Sequence, residues 1–426
     1  MNKKLMALAV AGALAPAAAW AQNYQIYGRA TLGVDQYEAK GATLGSGSDY
    51  AKRTRVFDNG SRVGFRGTED LGGGLQAVFL IETGVNIDNG STTGQGGQAN
   101  SSTGNWGSRT SHVGLAGNWG MFTYGRSNVF WTNGAIEQVG ANWLNAGAQL
   151  YSGTFGRGMS IGITRVSNVM QYTSPVFAGV NLVVSLTPTF AEAQPAGTNT
   201  DSQGYGFTAQ GTHGPLAWGL DWFTITNNTP NQPNTVGQSS TTGTKARVGF
   251  RYMPAGQISV LGLKTELDKG GVTATGGSGV ANPHGLVATC NTTATGCALE
   301  QTGMGVSWDH MFGPWQPIVQ YYVIDGIKGS GCGAAFTPVC TAAGTQCNLT
   351  EANQITVALR YVFSKRTHAY ISYNKIDNDA QYNQDFNGAS YTSRNAASST
   401  AAGNANGQQF VGADPTIIAV GMIHNF

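Results

Sequence analysis

Over much of the chain, apolar and polar residues alternate one by one, then give way to a turn or a polar stretch. From Pro415 to Phe426, residues Ile418, Val420, Met422, His424 and Phe426 fall on one face, and Ile417, Ala419, Gly421, Ile423 and Asn425 on the other. Segment 353–363 sets Ile355, Val357, Leu359, Tyr361 and Phe363 against Thr356, Ala358 and Arg360. Segment 61–67 sets Val63 and Phe65 against Arg62, Gly64 and Arg66. A period of two marks a strand whose two faces meet different surroundings. Sixteen such segments are predicted, near 24–35, 60–68, 74–86, 108–116, 120–127, 160–174, 179–189, 203–212, 216–226, 244–253, 257–268, 301–311, 315–325, 353–363, 367–377 and 414–426.

Alternation alone does not separate a soluble sandwich from a membrane barrel. The connections do. Candidate strands pair through tight turns, among them Asp70-Leu71-Gly72-Gly73-Gly74, His213-Gly214-Pro215, Phe312-Gly313-Pro314 and Ser364-Lys365-Arg366. Between the pairs run long polar segments at 38–59, 87–107, 128–156, 190–202, 227–243, 269–300, 326–352 and 378–413. Short turns at one end and long loops at the other fit an all-β transmembrane antiparallel β-barrel, with periplasmic turns and extracellular loops. Loops this long would be out of place inside a compact soluble domain. In hydrocarbon the first and last strands must pair, because an open edge leaves unsatisfied backbone groups. About sixteen strands enclose a water-filled lumen, whereas eight are filled by side chains. Tyr24, Phe312, Trp315, Tyr361, Phe363 and Phe426 fall near the turn ends, where an interfacial aromatic girdle belongs.

Composition agrees. The chain has 62 Gly, 13 Pro and only 11% charged residues, against about a quarter charged in soluble domains. Lys3 and Lys4, the apolar stretch Leu5 to Ala19 and the small-x-small Ala19-Trp20-Ala21 predict an export signal over residues 1–21. Residues 22–426 are then expected to form a single barrel domain. The formal charge of +2 falls to zero once Lys3 and Lys4 leave, and no basic tract suits nucleic acid. Cys290, Cys297, Cys332, Cys340 and Cys347 all follow the signal, so disulfides can persist. Cys290 with Cys297 would close a small loop; pairing among the others stays open. No His lies within four residues of a Cys, so zinc spacing is absent. Gly158-Met159-Ser160-Ile161-Gly162 matches a nucleophile-elbow pattern, but no helix pattern follows it. The chain therefore reads as no enzyme, and no cofactor is expected.

Several stretches resemble the Gram-negative general porins, especially their β-proteobacterial branch. Ser61-Arg62-Val63-Gly64-Phe65-Arg66-Gly67-Thr68-Glu69-Asp70-Leu71-Gly72-Gly73-Gly74-Leu75 is similar to the family's second strand and turn. Gly120-Met121-Phe122-Thr123-Tyr124-Gly125-Arg126 is similar to its fifth strand, and Tyr172-Thr173-Ser174-Pro175 to the turn after its sixth. Phe426 resembles the terminal aromatic read by the barrel-assembly machinery. The resemblance implies a homotrimer of sixteen-stranded barrels in the outer membrane, in contact with lipid and lipopolysaccharide. It also implies a third loop folded into each lumen, with wall arginines facing loop acids across a constriction.

Carried over position by position, the wall arginines are Arg62, Arg126 and Arg165, with Arg109 as an additional basic position. The third loop spans 128–156, and Ile136-Glu137-Gln138-Val139-Gly140 faintly resembles its acidic core, without the family's proline. Glu137 is the sole acid between Ser127 and Arg165. Arg29, Arg66, Glu82 and Arg360 are further lumen candidates by strand parity. Arg126 shares parity with Phe122 and Tyr124, and Arg109 with Val113 and Leu115, so a bulge or loop must re-aim both. Several arginines opposed by one carboxylate concentrate anions in a narrow channel. The expected function is passive diffusion of small polar solutes with a preference for anions. A substrate-specific channel for an anionic solute, and a surface adhesin acting through its loops, are the alternatives.

Overall fold

Because strands that cross a bilayer must each find two partners, the alternating segments are expected to zip in chain order and close. The computed structural model describes residues 23–42, 49–58, 60–85, 87–88, 106–129, 165–188, 203–227, 239–252, 255–268, 299–326, 328–329, 350–380 and 412–426. Residues 1–21, Glu137 and all five cysteines lie outside these. The strand segments are β1 (Asn23–Lys40), β2 (Tyr50–Asp58), β3 (Arg62–Gly72), β4 (Leu75–Gly84), β5 (Ser111–Gly117) and β6 (Gly120–Asn128). They continue as β7 (Arg165–Thr173), β8 (Val180–Thr187), β9 (Gln203–His213), β10 (Leu216–Asn227), β11 (Ser239–Tyr252) and β12 (Gly256–Asp268). The last are β13 (Leu299–His310), β14 (Trp315–Ile324), β15 (Lys328–Gly329), β16 (Ala352–Val362), β17 (Thr367–Asn378) and β18 (Asp414–Asn425).

β1 pairs with β2 along its second half and with β3 along its first, so β2 and β3 are two halves of one barrel strand. β14 and β15 relate to β13 in the same way. Eighteen segments thus make sixteen barrel strands, each antiparallel to its neighbours. Closure comes from β1 against β18, in register from Arg29 opposite Asn425 to Lys40 opposite Asp414. Two further bonds seal the seam: Gly28 N–H donates to the Phe426 carbonyl at 3.0 Å, and Phe426 N–H to the Gly28 carbonyl at 3.1 Å.

The two faces of the wall are inverted relative to a soluble protein. Outward, Val420 is 54% exposed and Ile26 69%, with Val34, Val260, Met304 and Ile371 also exposed. Inward, Gln320, Gln354 and Asn374 are fully buried, beside apolar Phe57, Phe223, Ile318 and Ile417. This inner layer is more closely packed than solvated lumen side chains would be. The reason lies in the glycines. Tyr322 lies over Gly305 and Tyr370 over Gly421, each ring filling the space that a side chain on the neighbouring strand would take. Large inward residues therefore lie along the wall rather than across the lumen, an aromatic–glycine pairing known to brace curved sheets.

Turn chemistry follows the sequence closely. Gly214 and Gly313 each start a Gly-Pro turn at positive φ (57° and 60°), the backbone that two-residue hairpins demand. At the turn end, Trp315, Tyr361 and Phe363 form an aromatic chain, with centroids 4.6 and 4.8 Å apart.

Two expectations are corrected. The polar loop expected at 227–243 gives up Ser239–Gly243 to β11, a polar stretch with no apolar face to announce it. Residues 50–58 were expected inside the polar loop 38–59, yet they form β2 and extend β1 to Lys40. Their inward face is charged, and Arg55 Nε donates to Asp35 at 3.1 Å. Their outward face adds Lys52 and Thr54 to Val56. Neither face reads as apolar, so the strand is invisible to hydrophobic periodicity. Substituting Val420 with Arg in mid-strand should destabilise the folded barrel by about 2–4 kcal/mol, read by denaturant unfolding in lipid vesicles. An unchanged unfolding midpoint would contradict the outward assignment.

Candidate functional site

Inward parity on β1, β3 and β4 is set by pairing. Tyr27 stands opposite Gly64, Arg29 opposite Arg62, and Gly64 opposite Glu82. Inward positions are odd-numbered on β2 and even-numbered on β3, so one extra residue must be absorbed between them. The break between Asp58 and Arg62 does this. Asp58 Oδ1 accepts the Gly60 and Ser61 N–H groups at 2.7 and 2.8 Å, and Ser61 Oγ accepts the Thr31 N–H at 2.9 Å. The bulge leaves both Arg55 and Arg62 facing inward.

Glu82 is the hub of the resulting cluster. Arg109 Nε donates to Glu82 Oε1 at 2.5 Å, Tyr27 Oη to Oε2 at 3.0 Å, and Arg62 Nε lies 3.5 Å from Oε2. Arg109 reaches inward because residues 106–110 are turn and bend, with Gly107 at φ 77°, before β5 starts at Ser111. Its parity with Val113 and Leu115 is thereby cancelled. Arg29 lies within electrostatic reach of Arg62 and Arg109, and its Nε is buried without a hydrogen-bond partner. Further round the wall, Arg360 on β16 stands opposite Tyr370 and faces Asp309, whose Oδ2 accepts from Gln316 Nε2 at 2.6 Å. Arg66 donates to Gln25 Oε1 at 2.9 Å and lies 5.2 Å from the Tyr27 ring centroid.

Arg126 is not brought into this cluster. It keeps parity with the exposed Phe122 and Tyr124, beside Gly125 at φ 144°. Its Nε donates to the Ser108 carbonyl at 3.1 Å and its Nη1 to Ser167 Oγ at 2.8 Å. Arg165 opens β7 opposite Asn128, and its side chain lies outside the described residues. So does Glu137, together with the expected third loop.

The structure adds two features beyond the sequence candidates. Tyr27 supplies a neutral donor to Glu82. Half the ring away, Asp221 on β10 pairs with Arg247 and, at 3.6 Å, with Lys245 on β11. Thr208 Oγ1 also donates to Asp221 at 2.6 Å. Strand parity alone could have found Lys245 and Arg247, which alternate with Ala246 and Val248.

Chemically, the Glu82 cluster is a preorganised cationic wall. Two arginines, Arg62 and Arg109, engage one carboxylate, and a third, Arg29, stands opposite Arg62 within electrostatic reach of Asp58. The surplus guanidinium charge offers forked donors suited to anions.

A model of the Gram-negative porin family matches residues 7–381. The major outer membrane protein P.IB of Neisseria gonorrhoeae is 33% identical over 219 residues, covering 49% of this chain and 54% of that protein. An outer membrane porin protein of Bordetella pertussis is 32% identical over 193 residues, covering 42% and 46%. P.IB of Neisseria lactamica is 27% identical over 384 residues, covering 87% and 92%. The chain spans about half the length of the first two relatives. Among solved structures, the anion-selective porin from Comamonas acidovorans superposes with a TM-score of 0.64 at 18% identity, covering 95% of this chain and 100% of that one. At that identity the likeness speaks to the fold.

Removing the hub should be felt. Glu82→Gln should lower barrel stability by about 1–3 kcal/mol and Tyr27→Phe by about 1 kcal/mol, measured by denaturant unfolding. Equal stability of both variants and the wild type would contradict the cluster.

Proposed function

The chain belongs to the Gram-negative porin family, an outer-membrane β-barrel, and on that premise we propose that it is a passive diffusion channel preferring small anions. The observation that carries the preference is the single bonded carboxylate, Glu82, among Arg29, Arg62 and Arg109 on one inner wall. Field lines from fixed charges are focused by the low-dielectric wall, so chloride and small organic anions concentrate beside it while cations are depleted. The Arg62 and Arg109 guanidinium groups are held by Glu82, itself fixed by Tyr27, before any solute arrives, so little reorganisation opposes passage. No chemical step is required. The Comamonas porin is named as anion-selective, which is in keeping with this reading. Arg165 and Glu137 remain constriction candidates by resemblance.

We also infer a homotrimer. Arg126, Ser111 and Ser167 make the loop end of the outward side of β5–β7 polar, above the apolar Val113, Leu115 and Phe122, and an arginine facing lipid costs up to about 2–4 kcal/mol. A second barrel against that face suits it better than hydrocarbon. At the loop ends, outward Lys264 Nζ lies 2.7 Å from Glu266 and 3.0 Å from Glu300, which supports contact with lipopolysaccharide headgroups. The seam bonds of Phe426 with Gly28 support a role for this residue in assembly.

The test is the reversal potential of the purified protein in a planar bilayer under a KCl gradient. A channel reversing toward the chloride potential is expected. A charge about 8 Å from an ion in water contributes roughly 0.5 kcal/mol, favourable to chloride and unfavourable to potassium, so Arg62→Ala and Arg109→Ala should each lower the chloride-to-potassium permeability ratio about fivefold. Arg126→Ala should change it least. Reversal of the wild type toward the potassium potential would overturn the anion preference.

A further inference from the structure

On the turn side of the Glu82 cluster the wall holds a cavity of roughly 350 Å³, at the small end of ligand pockets. Its main lining comes from one paired row of inward residues. Gln25 stands opposite Arg66, Arg66 opposite Leu80, and Leu80 opposite His112. Tyr27 and Val78 flank that row. Two features are unexpected for a wall that serves only ion flow. First, other inward apolar side chains such as Leu261, Ile318 and Ile417 are buried, whereas Val78 and Leu80 leave a partly exposed apolar patch between a guanidinium and an imidazole. A wall facing only water gains nothing from leucine there, since apolar surface is favoured only where it can be covered. Second, the polar groups around the patch are held or uncommitted. Arg66 is fixed through Nε to Gln25 and lies over the Tyr27 ring, and its terminal nitrogens make no hydrogen bond among the described residues. His112 Nδ1 is buried with no hydrogen-bond partner.

We propose that this cavity is a binding subsite for small amphipathic carboxylates. The carboxylate takes the free arms of the Arg66 fork, a geometry that guanidinium matches well. An aromatic or branched aliphatic body covers Val78 and Leu80, with the His112 ring at its edge. Inorganic anions and acetate lack the body and pass without dwelling. The subsite rests on the reading of the lumen as an anion path. It adds selection by apolar shape to selection by charge. Tyr27 joins the two levels, because its hydroxyl holds Glu82 while its ring backs Arg66.

The experiment compares phenylacetate with acetate as blockers of chloride current through the intact wild-type channel in a planar bilayer. Phenylacetate is expected to reduce the current saturably in the millimolar range, and acetate at equal concentration is expected to leave it unchanged. Leu80→Ser should weaken the phenylacetate block about tenfold, the loss of roughly one buried apolar contact, while the KCl reversal potential stays at the wild-type value. Arg66→Gln should weaken the block as well. Heat-modified gel mobility reports whether each variant is folded, and the wild-type comparison stands even if a variant does not fold. A working channel on which the two acids act alike, or a block indifferent to Leu80→Ser in a folded barrel, overturns the subsite and leaves the diffusion channel intact. Folded protein that conducts nothing overturns both.

Discussion

Every feature of this chain follows from one requirement: in hydrocarbon, no backbone N–H or C=O can be left without a partner. A sheet meets it only by closing, and here β18 closes on β1 over twelve paired positions ending at Asn425, with Phe426 bonded to Gly28 beyond. Closure fixes parity all the way round the ring. Once Val420 faces outward, Ala419 and Gly421 must face inward, and so must Tyr370 and Asp35 on the strands beside them. The apolar outside and the mixed, closely packed inside are thus one decision repeated sixteen times. Glycine makes that decision workable, because Tyr322 and Tyr370 can lie flat only where Gly305 and Gly421 present no side chain.

Function enters where parity is broken. Between Asp58 and Arg62 the bulge resets the phase of the second barrel strand, and Arg62 meets Glu82 on the inside. At 106–110 the chain leaves strand geometry, and Arg109 swings in to the same carboxylate. A regular sixteen-stranded sheet could present neither arginine in that way. Glu82 alone would attract cations. Held by two arginines and a tyrosine, it instead positions the donors, and the arginines outnumber it. The apolar patch at Val78 and Leu80 lies one rung away on the same strand as Glu82. One four-strand panel of the wall therefore carries both the charge and the cavity.

Much of this was legible in the residues. Period-two faces located most barrel strands to within a few positions, and Gly-Pro pairs marked the turns at Gly214 and Gly313. The inward assignments of Arg62, Arg66 and Glu82 come from parity alone. What escaped did so for physical reasons. β2 carries charge on its inner face and Lys52 and Thr54 on its outer one, so no hydrophobic rhythm announces it. Glu82 ranked as a secondary lumen residue, because its partners Tyr27 and Arg109 lie 55 and 27 positions away and meet it only through register and a turn. Arg126 matches the family's wall arginine by neighbours in sequence, yet its hydrogen bonds hold it to Ser108 and Ser167. Resemblance transfers a residue type to a position, whereas direction is decided by local backbone.

The central claim is that Glu82 is occupied by Arg62, Arg109 and Tyr27, so the wall acts as a cation. The most direct measurement is the reversal potential of Glu82→Gln beside the wild type under one KCl gradient. If the carboxylate only moderates surplus arginine charge, its removal shifts the potential further toward that of chloride. A shift toward potassium, or no shift in a folded and conducting barrel, would contradict the account.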